Sequence, residues 1–209
     1  MKHILCYGDS NTFGHNPVTH GGRISFEERW TGRLSMKLWP EARIIEEGLC
    51  SRTTIFDDPF HEDVNGLKGI GMAIRSAQPL DLVIIMLGTN DLKNYFHMPP
   101  SQIARGVGLL IDRIRTLSDA EILVVSPIRL GDNIAYSEFG GAFDDLSLKK
   151  SAMLGQEIRK VAEAHDVHYL AAEDYAMPSE EDSLHMTARE HGKLADAMEA
   201  KIREILNLK

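Results

Sequence analysis

Apolar and polar positions alternate along the chain in a way that predicts strands and helices in turn. Five short apolar runs indicate buried strands, at residues 4–7, 42–45, 80–87, 122–125 and 167–170. The run at 80–87 is the most continuous, because only Asp81 interrupts its apolar residues. Such a run is typical of a central parallel strand that is covered on both faces.

Helical patterns separate these strands. Apolar residues recur every three or four positions in five stretches, at residues 26–38, 69–77, 99–117, 154–161 and 187–205. Pro99 and Pro100 suit the start of the third helix, and Thr187 with Glu190 forms a capping-box sequence before the last one. This alternation predicts an α/β fold whose parallel strands are joined by right-handed crossovers. In such sheets, sites form beyond the carboxyl ends of the strands.

Two long segments carry no regular pattern. Residues 51–65 are polar and irregular, and residues 126–147 contain Gly131, Gly140 and Gly141. Irregular segments of this length in a compact domain usually serve function, so we expect a lid or a pocket wall. No linker or internal repeat divides the chain, which predicts a single domain over residues 1–209.

Composition narrows the class of protein. The 209 residues carry a net charge of −8, and no cluster of Lys and Arg points to a nucleic-acid partner. No apolar stretch reaches the roughly 20 residues that a membrane span needs, and strand-like residues begin at Lys2 where a signal peptide would start. These features predict a cytoplasmic protein that binds neither nucleic acid nor membrane. Cys6 and Cys50 are expected to be free thiols, because two cysteines make no disulfide framework.

Candidate chemistry follows three of the predicted strands. The first strand ends in Gly8-Asp9-Ser10, where the glycine permits a tight turn and the serine would stand at a helix start. Gly48 follows the second strand, and Asn90 follows the third. Each of these residues fits an ordinary turn or cap when taken alone. Asp9 is expected to hydrogen-bond within its turn, so that Asp9→Asn should disturb the loop.

A further pair of residues lies just before the last helix. Asp182 and His185 are three positions apart, a spacing at which a single tight turn brings two side chains together. An aspartate so placed can orient the imidazole and leave its other nitrogen free as a general base. The serine, glycine, asparagine and this pair each lie in a loop that the sheet would gather at one edge. Together they supply the parts of an acyl-transfer site.

Each residue has an expected role in that site. Ser10 would be the nucleophile, His185 the general base and Asp182 the acid that orients it. The backbone N–H groups of Ser10 and Gly48, with the side chain of Asn90, would form the oxyanion hole. Three further residues are candidates for the acyl pocket: Thr12, Phe13 and Trp30.

These residues resemble the motif blocks of the SGNH, or GDSL-type, serine hydrolase family. The blocks are Gly8-Asp9-Ser10, Gly48, Gly88-Thr89-Asn90-Asp91 and Asp182-x-x-His185. The chain is similar in particular to the bacterial arylesterase/acyltransferase branch, over residues 29–32, 46–54, 81–91 and 124–127. One departure is Ser183-Leu184, which stands where the family usually has Gly-Ile.

The resemblance implies a flavodoxin-like three-layer α/β/α sandwich with a parallel five-stranded sheet, and neither a metal nor an organic cofactor. It implies hydrolysis of short-chain acyl esters, including aryl esters, through an acyl-enzyme, with acyl transfer to alcohols or peroxide as a further activity. It also implies homo-oligomers of up to eight subunits, with contacts near residues 55–66 and 131–147.

Other functions stay open on the sequence alone. A thioesterase or a carbohydrate deacetylase would use the same triad on another acyl substrate. A flavodoxin-like binding module could hold a phosphate or a flavin in the loop at residues 8–14, although this loop lacks the glycine patterns of nucleotide-binding loops. A metal hydrolase is disfavoured, because no two histidines have the spacing of metal ligands.

Overall fold

The computed structural model describes residues 1–208, which form a five-stranded parallel sheet. The strands are β1 (Lys2–Gly8), β2 (Ala42–Gly48), β3 (Leu82–Met86), β4 (Glu121–Ser126) and β5 (His168–Ala171). They lie in the order β2-β1-β3-β4-β5, and every adjacent pair is parallel. This is the strand order of flavodoxin-like folds, so the predicted fold class is confirmed.

Helices cover both faces of the sheet. They are α1 (Ser10–Phe13), α2 (Trp30–Leu38), α3 (Gly66–Ala77), α4 (Pro100–Arg115), α5 (Asp145–Ala164) and α6 (Ala188–Leu206). Helices α2 and α6 pack on one face, whereas α3, α4 and α5 pack on the other. Short 3-10 turns lie at Asn90–Leu92, Asn94–Phe96, Ile134–Tyr136 and Ala172–Asp174.

Each central strand divides its side chains between two cores, because successive residues of a strand point to opposite faces. In β1, Leu5 and Tyr7 join the core under α3, α4 and α5, while Ile4 and Cys6 join the core under α2 and α6. All four residues are buried. Burial on both faces explains why these strands are continuous apolar runs in the sequence.

The second helix is shorter than its sequence pattern predicts. It begins at Trp30 rather than at Phe26, because the preceding residues form a turn in which the N–H of Arg29 donates to the carbonyl of Ser25 at 3.1 Å. Phe26 is partly exposed in this turn and does not join the core. Its position four residues before Trp30 therefore matches the helical spacing without belonging to the helix.

The caps of the last two long helices differ from each other. Helix α5 begins with a complete capping box between Asp144 and Ser147, which the sequence pattern did not reveal. At α6, the side chain of Thr187 accepts from the N–H of Glu190, as predicted. The carboxylate of Glu190, however, accepts from the N–H of Met177 at 3.2 Å, so only half of the predicted capping box forms.

Two further expectations concern the thiols and the membrane. Both cysteines are free, as expected from their number. Cys6 is buried in the sheet, and this burial raises the pKa of its thiol. In the part of the chain that the structure describes, no helix combines the length and apolar character that a membrane crossing requires.

Candidate active site

The carboxyl ends of three adjacent strands bring the predicted loop residues to one edge of the sheet. Gly8 of β1 pairs with Gly48 of β2 and with Met86 of β3. Ser10 therefore lies close to the end of β2, and Asn90 follows in the loop after β3. The strand order changes direction between β1 and β3, which is where a site is expected in such a sheet.

Ser10 stands at the start of a helix of only four residues. Asp9 precedes this helix, and its Oδ1 accepts a hydrogen bond from the N–H of Asn11 at 2.9 Å, as expected for a capping residue in the turn. Gly14 ends the helix with a φ of 86°, a left-handed conformation that glycine adopts without a steric cost. Ser10 is only 7% exposed, so the turn holds its hydroxyl in a narrow opening.

Three side chains form a continuous hydrogen-bonded series. Nε2 of His185 lies 2.9 Å from Oγ of Ser10, and Nδ1 of His185 lies 2.6 Å from Oδ2 of Asp182. Ser10 and His185 are 175 positions apart in the chain, whereas Asp182 and His185 share one turn. All three are buried. This arrangement has the geometry of a nucleophile, a general base and an orienting acid.

The carboxylate of Asp182 is fixed by the turn that contains it. Its Oδ1 accepts hydrogen bonds from the backbone N–H groups of Leu184 and His185 and from the hydroxyl of Ser179, each at 2.9 Å. Burial would raise the pKa of Asp182, but the hydrogen bond and charge of His185 and the backbone donors together lower that pKa below its ordinary value. Asp182 therefore stays ionised at neutral pH and can orient the imidazole.

The departure at Ser183-Leu184 leaves this turn intact. Ser183 has a φ of 60°, in the left-handed region that glycine enters most easily. A glycine at this position, as the family usually has, suits that conformation. The carbonyl of Ser183 accepts from the N–H of Gly131 at 2.8 Å, and this bond ties the turn to the segment 126–147.

The three predicted oxyanion donors lie on adjacent elements. Ser10 opens α1, so its N–H has no acceptor within the helix. The N–H of Leu49 donates to the carbonyl of Gly8 at 3.1 Å. In a parallel pair, alternate residues of a strand donate to the neighbouring strand, so the N–H of Gly48 takes no part in the hydrogen bonds to β1. The amide of Asn90 donates one hydrogen to the carbonyl of Arg52 at 3.1 Å, which leaves its second hydrogen for a ligand.

The backbone around these donors is held rigidly. A Cβ at Gly48 would lie 2.2 Å from the backbone nitrogen of Phe13, so only glycine lets β2 approach α1 this closely. The guanidinium of Arg52 donates to the carbonyl of Gly8 at 2.9 Å and stacks over the ring of Tyr7 at 3.9 Å. The donor groups therefore sit on backbone that two neighbouring strands fix in place.

A cavity of about 620 Å³ opens above Ser10 and His185. The segments 51–65 and 126–147 build two of its walls, as expected for these irregular stretches. Its surface is mostly apolar. The rings in its lining belong to His15, Phe60, His61, Tyr95, Phe139 and Phe143, in addition to His185.

The three residues expected to shape the acyl pocket do not line this cavity, so that expectation was wrong. Thr12 is buried and packs beneath the end of β1. The ring of Phe13 faces Arg23 instead, whose guanidinium carbon lies 4.6 Å from the ring centre. Trp30 is buried in the core under α2 and α6 and donates its indole N–H to the carbonyl of Asn11 at 3.1 Å. Thr12 and Phe13 lie near Ser10 in sequence but face different sides, because successive residues of the turn α1 point in different directions.

A buried ion pair between Lys93 and Asp58 supports the part of the cavity wall that we call the roof, formed by Phe60, Lys93 and Tyr95. Nζ of Lys93 lies 2.7 Å from Oδ2 of Asp58, and the hydroxyl of Tyr95 donates to the same oxygen at 2.9 Å. The N–H of Phe60 donates to the other carboxylate oxygen at 2.9 Å. Burial would raise the pKa of Asp58, but these donors and the charge of Lys93 lower it to about 2. No sequence pattern links Asp58 to Lys93, because 35 positions separate them.

Two rings bracket the imidazole of His185. The ring of His15 packs against it with centroids 4.2 Å apart, and the ring of Phe139 meets it edge-on at 5.4 Å. Burial lowers the pKa of His15, and the charge of His185 lowers it further. Sequence reasoning missed His15, although it directly follows the Gly8–Gly14 motif.

His15, Asp182 and His185 are also the one group within residues 1–208 with the composition of a metal site, since their donor atoms lie within 4.8 Å of one another. The two ring nitrogens of His185 already face Asp182 and Ser10. The arrangement is therefore explained by the hydrogen-bonded series itself. The two histidines meet only through the fold, which is why their sequence positions did not suggest a shared site.

Two further carboxylates are buried beneath the site. Burial raises the pKa of Asp9 to about 6 and that of Asp91 to about 6. Asp91 accepts from the backbone N–H of Thr54 at 3.0 Å and from its hydroxyl at 2.5 Å. Oδ2 of Asp9, in contrast, makes no hydrogen bond of ordinary geometry to the described residues, although it faces the hydroxyl of Thr89.

Residues 6–192 match the sequence model of the GDSL-like lipase/acylhydrolase family. The chain belongs to this family. As a GDSL-like chain, it is similar to the native aryl esterase of M. smegmatis, at 32% identity over 98% of this chain and 100% of that one, with a TM-score of 0.92. Est24, a carbohydrate acetylesterase from Sinorhizobium meliloti, is 36% identical over 98% of this chain and 100% of its own, also with a TM-score of 0.92. None of the curated proteins matches the sequence.

A further similar structure is a carbohydrate acetylesterase family member from Sinorhizobium meliloti, at 32% identity over all of both chains and a TM-score of 0.91. With the family match, these structures identify this GDSL-like chain as a carboxylic ester hydrolase. The family match and these structures therefore favour an enzyme over a flavodoxin-like binding module.

Proposed function

We propose that this protein hydrolyses short-chain acyl esters, including aryl esters, through an acyl-enzyme on Ser10. The proposal is carried by one observation, the series Ser10–His185–Asp182 with distances of 2.9 and 2.6 Å at the floor of a largely apolar cavity. A serine hydroxyl is a weak nucleophile until a neighbouring base removes its proton, and the series supplies that base.

In the first half of the reaction, Oγ of Ser10 attacks the ester carbonyl while Nε2 of His185 takes the hydroxyl proton. Asp182 holds the imidazole in the tautomer that accepts this proton and stabilises the imidazolium that results. The negative charge that develops on the carbonyl oxygen is stabilised by the N–H groups of Ser10 and Gly48 and by the free amide hydrogen of Asn90. The tetrahedral intermediate collapses when His185 returns the proton to the leaving alcohol.

In the second half, water enters the cavity and attacks the acyl group on Ser10. His185 takes a proton from this water and then gives it back to Oγ as the acid leaves. An alcohol or peroxide that occupies the cavity in place of water would receive the acyl group by the same steps. The apolar walls support transfer to an alcohol, because they favour an organic acceptor over bulk water at the acyl-enzyme.

Acetylated carbohydrates are a second candidate substrate. The S. meliloti relatives are carbohydrate acetylesterases, and exposed rings such as that of Phe60 (72% exposed) stand at the cavity wall, where a sugar face could stack. An aryl acetate and an acetylated sugar deliver the same acyl group, so the two proposals share the chemistry at Ser10. They differ only in the leaving group that the walls accept.

The first experiment compares wild type with Ser10→Ala on para-nitrophenyl acetate, butyrate and octanoate, and on an acetylated xylose. We expect wild type to turn over the two short aryl esters, and Ser10→Ala to lose about a thousandfold or more in kcat/KM. Faster release of acetate from the sugar would favour the carbohydrate substrate. Equal activity of the two proteins would exclude Ser10 as the nucleophile.

We also propose that the protein is cytoplasmic and assembles as a homo-oligomer of up to eight copies. The support for assembly is that Phe60 and Tyr136 are 72% and 85% exposed in the segments 55–66 and 131–147. Light scattering at several concentrations tests this, and a monomer at all of them would exclude it. Substitution of both residues by serine should lower the oligomeric mass if these segments form the contacts.

A further inference from the structure

Asn11 connects the two halves of the site. Its Nδ2 donates to the carbonyl of Leu184 at 3.2 Å, and its Oδ1 accepts from the N–H of Met186 at 3.0 Å. These two backbone groups belong to the residues on either side of His185. The amide of Asn11 is therefore hydrogen-bonded to the backbone on both sides of the general base.

Asn11 is itself held from several directions. Its own N–H donates to Asp9 at 2.9 Å, and its carbonyl accepts from the indole of Trp30 at 3.1 Å. The residue is 3% exposed, so solvent does not compete for these bonds. We call the two hydrogen bonds of the Asn11 amide the clamp. Because Asn11 follows Ser10 directly, the nucleophile and the clamp share one short helix that is anchored to the core.

The contact between Ser10 and His185 has less support from the local chain than the contact between Asp182 and His185. Asp182 and His185 lie in one turn, where Oδ1 of Asp182 accepts two backbone N–H groups. Between Ser10 and His185 the chain runs for 175 positions, and the side chains meet in a single hydrogen bond. A displacement of about 1 Å between Nε2 of His185 and Oγ of Ser10 can lower the rate by about a hundredfold.

We propose that Asn11 is a positioning residue, whose amide fixes the backbone on both sides of His185 and thereby sets the distance from Nε2 to Ser10. This inference rests on the proposed function, because it assumes that Ser10 and His185 react. A leucine at this position could make neither hydrogen bond, so the clamp depends on the amide of Asn11.

Two substitutions test the clamp. Asn11→Leu has a similar size and removes both hydrogen bonds. Asn11→Asp keeps the acceptor for the N–H of Met186 but, when ionised, turns the donor into an oxygen that faces the carbonyl of Leu184. A neutral aspartic acid can again donate at that position, so Asn11→Asp can be restored by protonation.

The matched control is Tyr169→Phe on β5. This change removes the hydroxyl of a half-buried side chain, whose one hydrogen is shared between the carbonyl of Gly155 at 3.0 Å and the hydroxyl oxygen of Ser126 at 2.9 Å. Neither acceptor makes a side-chain hydrogen bond to the turn of His185. A general loss of stability should therefore affect both proteins, whereas a loss of positioning should affect only the Asn11 variants.

The readout is kcat per reactive site. Titration with a fluorophosphonate counts the serines that can react, and para-nitrophenyl acetate then gives kcat and KM for those sites alone. We expect Asn11→Leu to lower kcat per site by about tenfold to a hundredfold and to leave KM within about threefold. Tyr169→Phe should lower the melting temperature and keep the wild-type kcat per site.

The pH dependence gives a second readout. The ratio of kcat per reactive site for Asn11→Asp to that of wild type should rise as the pH falls, because protonation restores the donor to Leu184. A purely structural role would change the number of reactive sites with pH but leave this ratio per site flat.

The proposal is overturned if folded Asn11→Leu has the wild-type kcat per site, or if the Asn11→Asp ratio does not change with pH. If wild type itself shows no turnover of any ester, the proposed function fails. The rate at which fluorophosphonate labels Ser10 in wild type and in each variant would then still test the clamp.

Discussion

The ring of His15 packs on the ring of His185, with centroids 4.2 Å apart and planes tilted by 35°. A second titratable group therefore lies beside the general base, on the face that borders the cavity. Asp182, His185 and Glu138 are the charged groups that act on His15, and Glu138 in turn pairs with His20. A positive charge on both rings at once would be repulsive, so the pair favours a neutral His15.

This pairing predicts how His15→Phe changes stability with pH. In the folded protein the pKa of His15 is lowered, first by burial and then by His185, whereas an unfolded chain titrates at its ordinary value of 6.5. The unfolded state therefore binds the proton more tightly, and wild type loses stability as the pH falls below 6.5. We expect the free energy of unfolding of His15→Phe, relative to that of wild type, to be higher at pH 5 than at pH 8, as measured by urea unfolding. A difference that stays the same at both values would contradict the prediction.

Asn90→Ala should lower kcat with little change in KM. The free amide hydrogen serves the charge that develops in the transition state, and loss of one such donor costs about a hundredfold to a thousandfold in kcat. Asn94→Ala is the matched control, because Asn94 lines the same cavity without a proposed role at the oxyanion. Steady-state kinetics on para-nitrophenyl acetate should show the larger kcat loss for Asn90→Ala. Equal losses in the two variants would remove Asn90 from the oxyanion hole.

Lys93→Met should destabilise the protein strongly. The change leaves the carboxylate of Asp58, whose side chain is fully buried, without its cation, and breaking a buried pair in this way costs about 3–5 kcal/mol. Lys68→Met breaks the pair with Asp57, in which both side chains are mostly exposed, and should change stability little. Chemical denaturation of the two variants gives the comparison. Because Asp58 also holds Phe60 and Tyr95 in the roof, Lys93→Met should raise KM as well.

Asp9→Asn should stabilise the protein at neutral pH. Burial raises the pKa of Asp9 from 3.8 to about 6, so wild type loses stability as the pH rises through this range, at about 1.4 kcal/mol per pH unit. An asparagine carries no charge, keeps Oδ1 for the N–H of Asn11 and turns its amide toward the hydroxyl of Thr89. This predicted outcome differs from the expectation drawn from the sequence, that Asp9→Asn disturbs the loop.

The control for Asp9→Asn is Asp91→Asn, at a carboxylate that is equally buried. Both oxygens of Asp91 accept from the N–H of Thr54, so an amide nitrogen there would face a donor. We expect Asp91→Asn to destabilise and Asp9→Asn to stabilise when melting temperatures are compared at pH 7.5. Destabilisation by both changes would mean that the cap at Asp9 needs its charge.

The sequence predicts those features that depend on local patterns. The five strands follow from apolar runs, and the loops with Ser10, Gly48 and Asn90 follow from the rule that parallel sheets gather the ends of their strands. Asp182 and His185 could be paired because three residues span one turn. For Asp182 and His185 alone, the distance along the chain is a fair guide to the distance in space.

Contacts between distant segments could not be predicted. His15 meets His185, and Lys93 meets Asp58, only because the fold brings irregular segments together. Nearness in sequence was equally misleading for Thr12 and Phe13, since a helical turn directs neighbours of Ser10 to different sides. The strands, the order of the motif and the two segments that form cavity walls were therefore predictable, but the contacts between those segments and the rest of the site were not.

The position of His185 in the chain has a consequence for synthesis. A ribosome makes all five strands, which end at Ala171, before it adds the general base. His185 is added 175 residues after Ser10, so the nucleophile has no base until then. A nascent or truncated chain could build the whole sheet and still lack a reactive serine. Hydrolysis would begin only when the last turn and its helix have docked, so ester turnover during translation would report the completion of the molecule.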